Sequence, residues 1–506
     1  MHQINGFYGV AVVSLVVWYL LSQPMRAHAL VKRKWNRNSV SLAVREGYKS
    51  ITKVTGKPFF VRYWARDYLV LSPKYLPDVR RAAKEDLIFV DTISDVFFMY
   101  NWIGSLFKST RMQTSVIKGI NPRLPLEAES PWYIAKLSYG MLEECDFAMK
   151  LELGDHAAPK EVVALEVLTS ISLRIMARVL AGTQLSHDQA FLNGANDYFG
   201  GNFLTGFIML WLPFPPFLRD IVAWPLWKYH LKFRQQRVIE MIMPAMAKRM
   251  QEHEQAVSKH GDGEYDAIQT LLDLIPELPL DENADQSPVH VLSHEILHLV
   301  SSGQSPAISV TAALFKMLAE PSYLAALRSE AEETVKRNGW TEQILNELPL
   351  MDSFIREVHR FHPSFVQLPI YFSRWPYSAR GNAHCLCCRG AQMDPDFIVD
   401  PEKFDGFRFM ELGKADVRQE DGVNRWSASH ASYSNMTFGY GNHACPGRFI
   451  SIRIIKIILS RMVVDFDISW NRTDGEPPRF TMEGLSVPNP TQKVTFQRRQ
   501  APVYSS

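Results

Sequence analysis

The ten residues Phe438-Gly-Tyr-Gly-Asn-His-Ala-Cys-Pro-Gly447 concentrate more chemistry than any other stretch of the chain. A cysteine binds a metal through its thiolate, which must be stabilised and held still. Gly439, Gly441 and Gly447 permit tight turns and a close approach of backbone to a flat ligand. In such turns, backbone N–H groups can point at the sulfur of Cys445, lowering its pKa and tuning a bound metal. The apolar helix that follows adds the positive end of its dipole. Phe438 can cover the sulfur side, and His443 can donate to an anionic substituent of the ligand. A lone Cys-Pro-Gly would be read as a turn with a structural cysteine. Three glycines, an aromatic and a histidine at fixed offsets favour a metal-binding thiolate.

Two other groups of residues stand in a fixed order before this loop. In Glu357-Val-His-Arg360 the acid and base are three apart, so on a helix they share a face and can form a buried ion pair. Pro401-Glu-Lys-Phe-Asp-Gly-Phe-Arg408 follows and offers a second arginine. Earlier, Gly303-Gln304-Ser305-Pro306 interrupts a long apolar helix expected over His290 to Leu318. Pro306 removes one helical hydrogen bond and kinks the helix there. An E-x-x-R by itself is usually a surface pair, and a serine beside a kink usually bonds back to its own helix.

Taken together, the pattern resembles the cytochrome P450 family. The loop matches F-x-x-G-x-[RH]-x-C-x-G, and its histidine variant followed by Pro-Gly-Arg-Phe is similar to fungal members. The resemblance implies a mostly helical fold with a small β subdomain and a haem cofactor between two helices. Cys445 would be the axial iron ligand. Phe438, Gly439, Gly441, His443 and Gly447 would surround the cofactor, with His443 on a propionate. Glu357, Arg360 and Arg408 would form a structural triad. Aligning the helix on Thr311-Ala-Ala-Leu-Phe315 makes Ser305 the proton-relaying hydroxyl, with Gln304 where the family carries an acid. Lys118 would be a further propionate partner. Phe365, Val366 and Leu368 would line an apolar pocket. The implied reaction is oxygen insertion into a hydrophobic small molecule, such as a terpenoid of fungal secondary metabolism. Electrons would come from NADPH–cytochrome P450 reductase. A haem-thiolate isomerase or dehydratase, which needs no proton relay, is an alternative; so is an inactive, anchored relative.

The rest of the chain must position these groups. At 506 residues, with 46% apolar and 12% aromatic residues, it can bury a large core. No Gly/Ser/Pro-rich linker divides it. A net charge of +2 leaves no nucleic-acid footprint. Five cysteines, an odd and sparse number, suit a reducing compartment rather than a disulfide framework. Gly6 to Leu21 is apolar apart from Ser14, with Trp18 and Tyr19 near one end. Arg26, Lys32, Arg33, Lys34 and Arg37 follow it. That is the pattern of a single membrane anchor with the body in the cytosol, at the endoplasmic reticulum. A cleaved signal peptide would carry its positive charge before the apolar run. The expected organisation is an anchor over 1–25, a basic linker over 26–45 and one catalytic domain over 46–506. Within that domain, Pro58 to Leu71 reads as a strand pair and Pro77 to Phe89 as a short helix. Helices are expected through Met141 to Met250, interrupted at Phe207 to Trp227. Leu348 to Phe361 and Ile450 to Val464 read as helices, and Arg479 to Arg499 as short strands.

One stretch fits neither the family nor any periodicity. Ser373-Arg-Trp-Pro-Tyr-Ser-Ala-Arg-Gly-Asn-Ala-His-Cys-Leu-Cys-Cys-Arg-Gly390 stands where P450s have a strand, a D-G-x-x-[IL]-P-x-G turn and a second strand. Its C-x-C-C is no usual zinc spacing. Shifted by one nucleotide with suitable synonymous codons, the stretch reads L-D-G-H-T-L-P-A-G-T-H-I-A-F-A-A, which is the missing segment. We therefore expect the coding sequence over residues 373–390 to encode D-G-x-x-L-P-x-G in a neighbouring frame. Sequencing the transcript tests this directly, and codons that yield no such turn in any frame would refute it.

Overall fold

The computed structural model describes residues 30–31, 39–63, 66–81, 87–88, 110–124, 132–155, 158–211, 216–255, 266–280, 286–363, 369–372, 383–387, 392–416, 424–432, 434–482 and 485–499. The expected membrane span lies outside them. Among the described residues, no helix is long and apolar enough to cross a membrane.

Helices dominate. The long ones are α1 (Trp132–Leu153), α2 (Ala164–Ser186), α3 (Gln189–Trp211), α4 (Lys232–Gln255), α5 (Pro288–Ser301), α6 (Gln304–Ala319), α7 (Pro321–Asn338), α8 (Pro349–Phe361) and α9 (Arg448–Asp465). Helix α9 shows why sequence context outweighs local propensity here. Ile450, Ile452, Ile454, Ile455, Ile457 and Ile458 are β-branched and disfavour helix, yet all are buried. Buried positions run round the whole helix, an arrangement that is stable only inside a core, and α9 packs against α1, α2, α6 and α7.

The break in the long apolar helix falls before Pro306, at Ser302–Gly303. The cause is local. Pro306 has no N–H for the carbonyl of Ser302, which accepts from Ser305 N–H at 3.1 Å instead. The two turns before it tighten in the same way: Ser302 N–H bonds Leu299 O at 3.1 Å and Gly303 N–H bonds Val300 O at 2.9 Å. The carbonyl of Gly303, the N-cap of α6, also takes a hydrogen bond from Ser172 Oγ on α2, at 2.6 Å. Helix α2 comes so close that a Cβ on Gly303 would lie 2.9 Å from the Cβ of Met176 and 3.2 Å from the Cα of Leu173.

The β component is small. Its largest sheet has the order β1 (Leu30–Val31), β2 (Phe59–Tyr63), β3 (Arg66–Leu71), β7 (Ala383–Cys387), β6 (Pro369–Phe372), β4 (Leu87–Ile88). The expected strand pair is the β2–β3 hairpin, with Phe59 opposite Val70. A second sheet joins β5 (Lys160–Val163), β11 (Lys493–Arg498) and β8 (Phe466–Ser469), and β9 (Phe480–Met482) pairs with β10 (Leu485–Val487).

Several sequence expectations need correction. The helix expected over Pro77 to Phe89 is Leu76–Arg81, and Leu87–Ile88 is a strand. The aromatic, Pro-rich interruption is largely helical: α3 runs to Trp211, and Pro216–Leu226 forms a helix with Pro216 in its first turn, where its missing N–H costs nothing. The aberrant stretch, read as lacking strand periodicity, contains β7. That strand pairs parallel with β3 and antiparallel with β6, with Cys385 opposite both Leu69 and Ile370. Main-chain pairing on both edges supplies what side-chain alternation does not.

Because Gly303 is the point of closest approach of α2 to the break, Gly303→Ala should overpack the junction and cost about 1–3 kcal/mol. A lower urea midpoint at unchanged slope would register it; an unchanged midpoint would show that the junction can give way.

Candidate active site

The cysteine loop is closed by its own backbone. Cys445 N–H donates to Phe438 O at 2.6 Å, Gly439 N–H to Met436 O at 3.1 Å and Ala444 N–H to Gly441 O at 3.1 Å. Gly439 and Gly441 have φ of 82° and 61°, the left-handed region where a side chain is strained. Gly441 also lies flat against helix Leu76–Arg81: a Cβ there would stand 2.8 Å from the Cα of Arg80. From outside, Asn121 Nδ2 donates to Pro446 O at 2.9 Å, and Arg448 Nη1 to Cys445 O at 2.9 Å.

Cys445 is exposed by area, yet burial pushes its thiol up. The two statements agree if the sulfur is open to solvent on one side and crowded by protein on the others. The N–H groups of Gly447 and Arg448, together with the Arg448 charge, act in the opposite sense and favour the thiolate. This is the donor chemistry a thiolate-ligated haem iron requires: one accessible sulfur, backbone N–H groups turned towards it and glycines on either side. Cys145, by contrast, is fully buried on α1, where burial raises its thiol pKa far out of reach. It is structural.

The triad residues meet. Glu357 and Arg360 form a two-pronged pair, with Nε to Oε2 and Nη2 to Oε1 both at 2.7 Å. Both side chains are almost completely buried. Arg408 Nε reaches Glu357 Oε1 at 3.3 Å, and the N–H of Asp405 donates to the same oxygen at 3.0 Å. Arg360 Nη1 then binds the carbonyls of Pro401 (2.7 Å) and Gln392 (3.2 Å). Thus one carboxylate and two guanidinium groups tie α8 to the chain over 392–408.

On the helix expected to face dioxygen, Ser305 is exposed in the first turn of α6. Gln304 turns to α3 and donates from Nε2 to Asn196 Oδ1 at 2.7 Å. The structure therefore gives Gln304 a partner other than Ser305. Lys118 pairs with Glu277 at 2.8 Å, both side chains at the surface. Phe365, Val366 and Leu368 lie outside the described residues, as does the side chain of His443, whose backbone belongs to the turn Gly441–His443. Asn435, which matches a glycosylation sequon, is buried and donates to the carbonyls of Ala428 and His430. Sequence reasoning missed Asn121 and Arg80 as supports of the loop. Nothing local marks them, since they come from elements more than 300 residues away along the chain.

Comparison with known proteins agrees with this geometry. The cytochrome P450 family model matches residues 141–496. The cytochrome P450 monooxygenase sirB of Leptosphaeria maculans is 31% identical, over 90% of this chain and 85% of its own length. An ent-kaurene oxidase of Gibberella intermedia is 26% identical, over 92% and 84%. Among solved structures, retinoic acid-bound cyanobacterial CYP120A1 superposes with a TM-score of 0.60 at 16% identity, covering 90% of this chain and 94% of that one.

Removing the carboxylate from the triad leaves the buried Arg360 guanidinium, and the partly buried Arg408, without their counter-charge. Glu357→Ala should therefore cost about 3–5 kcal/mol and abolish stable haem incorporation. Haem absorbance per mole of protein measures this, and full haem occupancy would overturn the structural role.

Proposed function

We infer, for a chain that belongs to the cytochrome P450 family, a monooxygenase that oxidises a hydrophobic small molecule, with Cys445 as its axial iron ligand. The cofactor is haem with thiolate-ligated iron. The single observation that carries the ligand assignment is the Cys445 sulfur, exposed and faced by the N–H groups of Gly447 and Arg448. When bound, the haem supplies dioxygen activation and insertion of one oxygen atom into a C–H bond, and thiolate ligation favours O–O cleavage. The protein's contribution is positional. The loop over Phe438 to Gly447 holds the sulfur still, and the Glu357–Arg360–Arg408 network holds the loop's foundation. Ser305 Oγ–H is the group we assign to proton delivery, one residue before the proline that opens the helix. His443 is assigned to a haem propionate. The reaction consumes dioxygen and NADPH, with electrons from a membrane-bound reductase, and yields a hydroxylated product, water and NADP+.

The substrate class follows the relatives. An ent-kaurene oxidase by name acts on a diterpene hydrocarbon, and we extend that class, a terpenoid of fungal secondary metabolism, to this chain. Residues 6–21 would anchor it to the endoplasmic reticulum with its body in the cytosol. One observation favours a second reading. Gln304 is held by Asn196 and so offers Ser305 no acid-like partner, as suits a haem-thiolate isomerase or dehydratase that delivers no protons to oxygen.

The reduced carbon monoxide spectrum of the purified protein should show the red-shifted thiolate band, and Cys445→Ala should abolish it. With reductase and a panel of terpenoid hydrocarbons including ent-kaurene, products should gain one oxygen atom and require NADPH. Ser305→Ala should lower product formation by roughly a hundredfold while NADPH consumption continues. Turnover without NADPH would select the isomerase reading, and unchanged coupling in Ser305→Ala would remove the relay role.

A further inference from the structure

Three contacts form a continuous path from α6 to the cysteine loop. Ser309 Oγ lies 2.9 Å from His359 Nε2 on α8. The His359 ring meets Phe438 edge to face, with centroids 5.7 Å apart and planes at 84°. The carbonyl of Phe438 accepts the N–H of Cys445 at 2.6 Å. His359 is buried, and among the described residues its other ring nitrogen, Nδ1, has no hydrogen-bond partner. Among the described residues, one polar contact and one aromatic contact orient the ring. Burial keeps the imidazole neutral by pushing its pKa down to about 4. A buried N–H is rarely left unpaired, so the ring proton belongs on Nε2, donated to Ser309. Ser309 is one helical turn beyond Ser305, so whatever holds Ser309 also holds the segment that carries Ser305.

We propose that His359 is a positioning residue: hydrogen-bonded to Ser309, it braces Phe438 and keeps the Cys445 loop in register with α6. This rests on the reading of Cys445 as the iron ligand. The role is distinct from that of its neighbours Glu357 and Arg360, whose side chains are engaged with the chain over 392–408. His359 instead joins two elements that, in the proposed enzyme, serve the iron's ligand and the oxygen chemistry.

The test uses the haem-loaded full chain and reads the ligand state rather than turnover. Ser309→Ala deletes the acceptor alone, and Ser309→Thr restores a hydroxyl. His359→Phe keeps an aromatic ring without the hydrogen bond. In Ser309→Ala and His359→Phe, the thiolate band of the reduced carbon monoxide complex should convert to the short-wavelength, thiol-ligated form about fivefold faster, the factor expected for one lost neutral hydrogen bond. Haem content should be unchanged, and melting temperature should shift by less than about 4 °C. Ser309→Thr should return to the wild-type rate. If conversion in Ser309→Ala equals wild type, or if Ser309→Thr converts as fast as Ser309→Ala, the positioning role is wrong. Should His359→Phe fail to fold, the Ser309 pair still decides. A wild-type protein that binds haem without the thiolate band removes the Cys445 assignment, and this proposal with it. A wild-type band with unaltered variants removes only the proposal.

Discussion

The Glu357 carboxylate is the point on which the attachment of α8 to the chain over 392–408 depends. It is buried, and its charge is balanced by Arg360 and Arg408 and by a backbone N–H. A buried ion pair adds little net stability, because desolvation offsets most of its attraction. What it does is penalise every alternative arrangement, since displacing any partner strands a charge in the interior. Arg360 extends the constraint to the carbonyls of Gln392, Pro401 and Lys403. Irregular chain around residues 392–408 thereby acquires a definite path without regular secondary structure of its own.

The cysteine loop is built on different physics. Left-handed glycines, short-range backbone hydrogen bonds and an outside clamp from Asn121 fix its shape, with no ion pair among the described residues. That suits a site for a thiolate. A full counter-charge directly on the sulfur would weaken its donation to a metal, whereas backbone N–H groups and an arginine whose bond is to the Cys445 carbonyl tune it more gently. The two systems meet on α8, where Glu357 and Arg360 serve the first and His359, between them in sequence, touches the second.

The helix break at Ser302–Gly303 joins a covalent cause to a tertiary one. Proline removes one donor, the partner of the Ser302 carbonyl, and neighbouring groups complete the junction. Ser302 O is satisfied within the turn, and Gly303 O also takes a hydrogen bond from Ser172 of α2. Gly303 lets α2 approach closely enough to do this. The break is thus a packed junction and not merely a kinked helix.

Sequence by itself determined the features that depend on short covalent spacing. The cysteine loop, the three-residue step from Glu357 to Arg360, the β2–β3 hairpin and the apolar helix α9 were all legible, because turn chemistry and helical periodicity act over a few residues. Even Arg408, 48 residues beyond Arg360, could be assigned through the order of motifs. The tertiary structure alone decided which distant groups complete them. Asn121 and Arg80 brace a loop that lies hundreds of residues away. Gln304 is held by Asn196, and the stretch over Ala383–Cys387 becomes a strand although its side chains do not alternate. Each of these rests on a partner brought near by packing, and on backbone groups that bond to whatever the fold places opposite them. Local rules specify what a segment can do; the elements packed against it select which of those possibilities is realised.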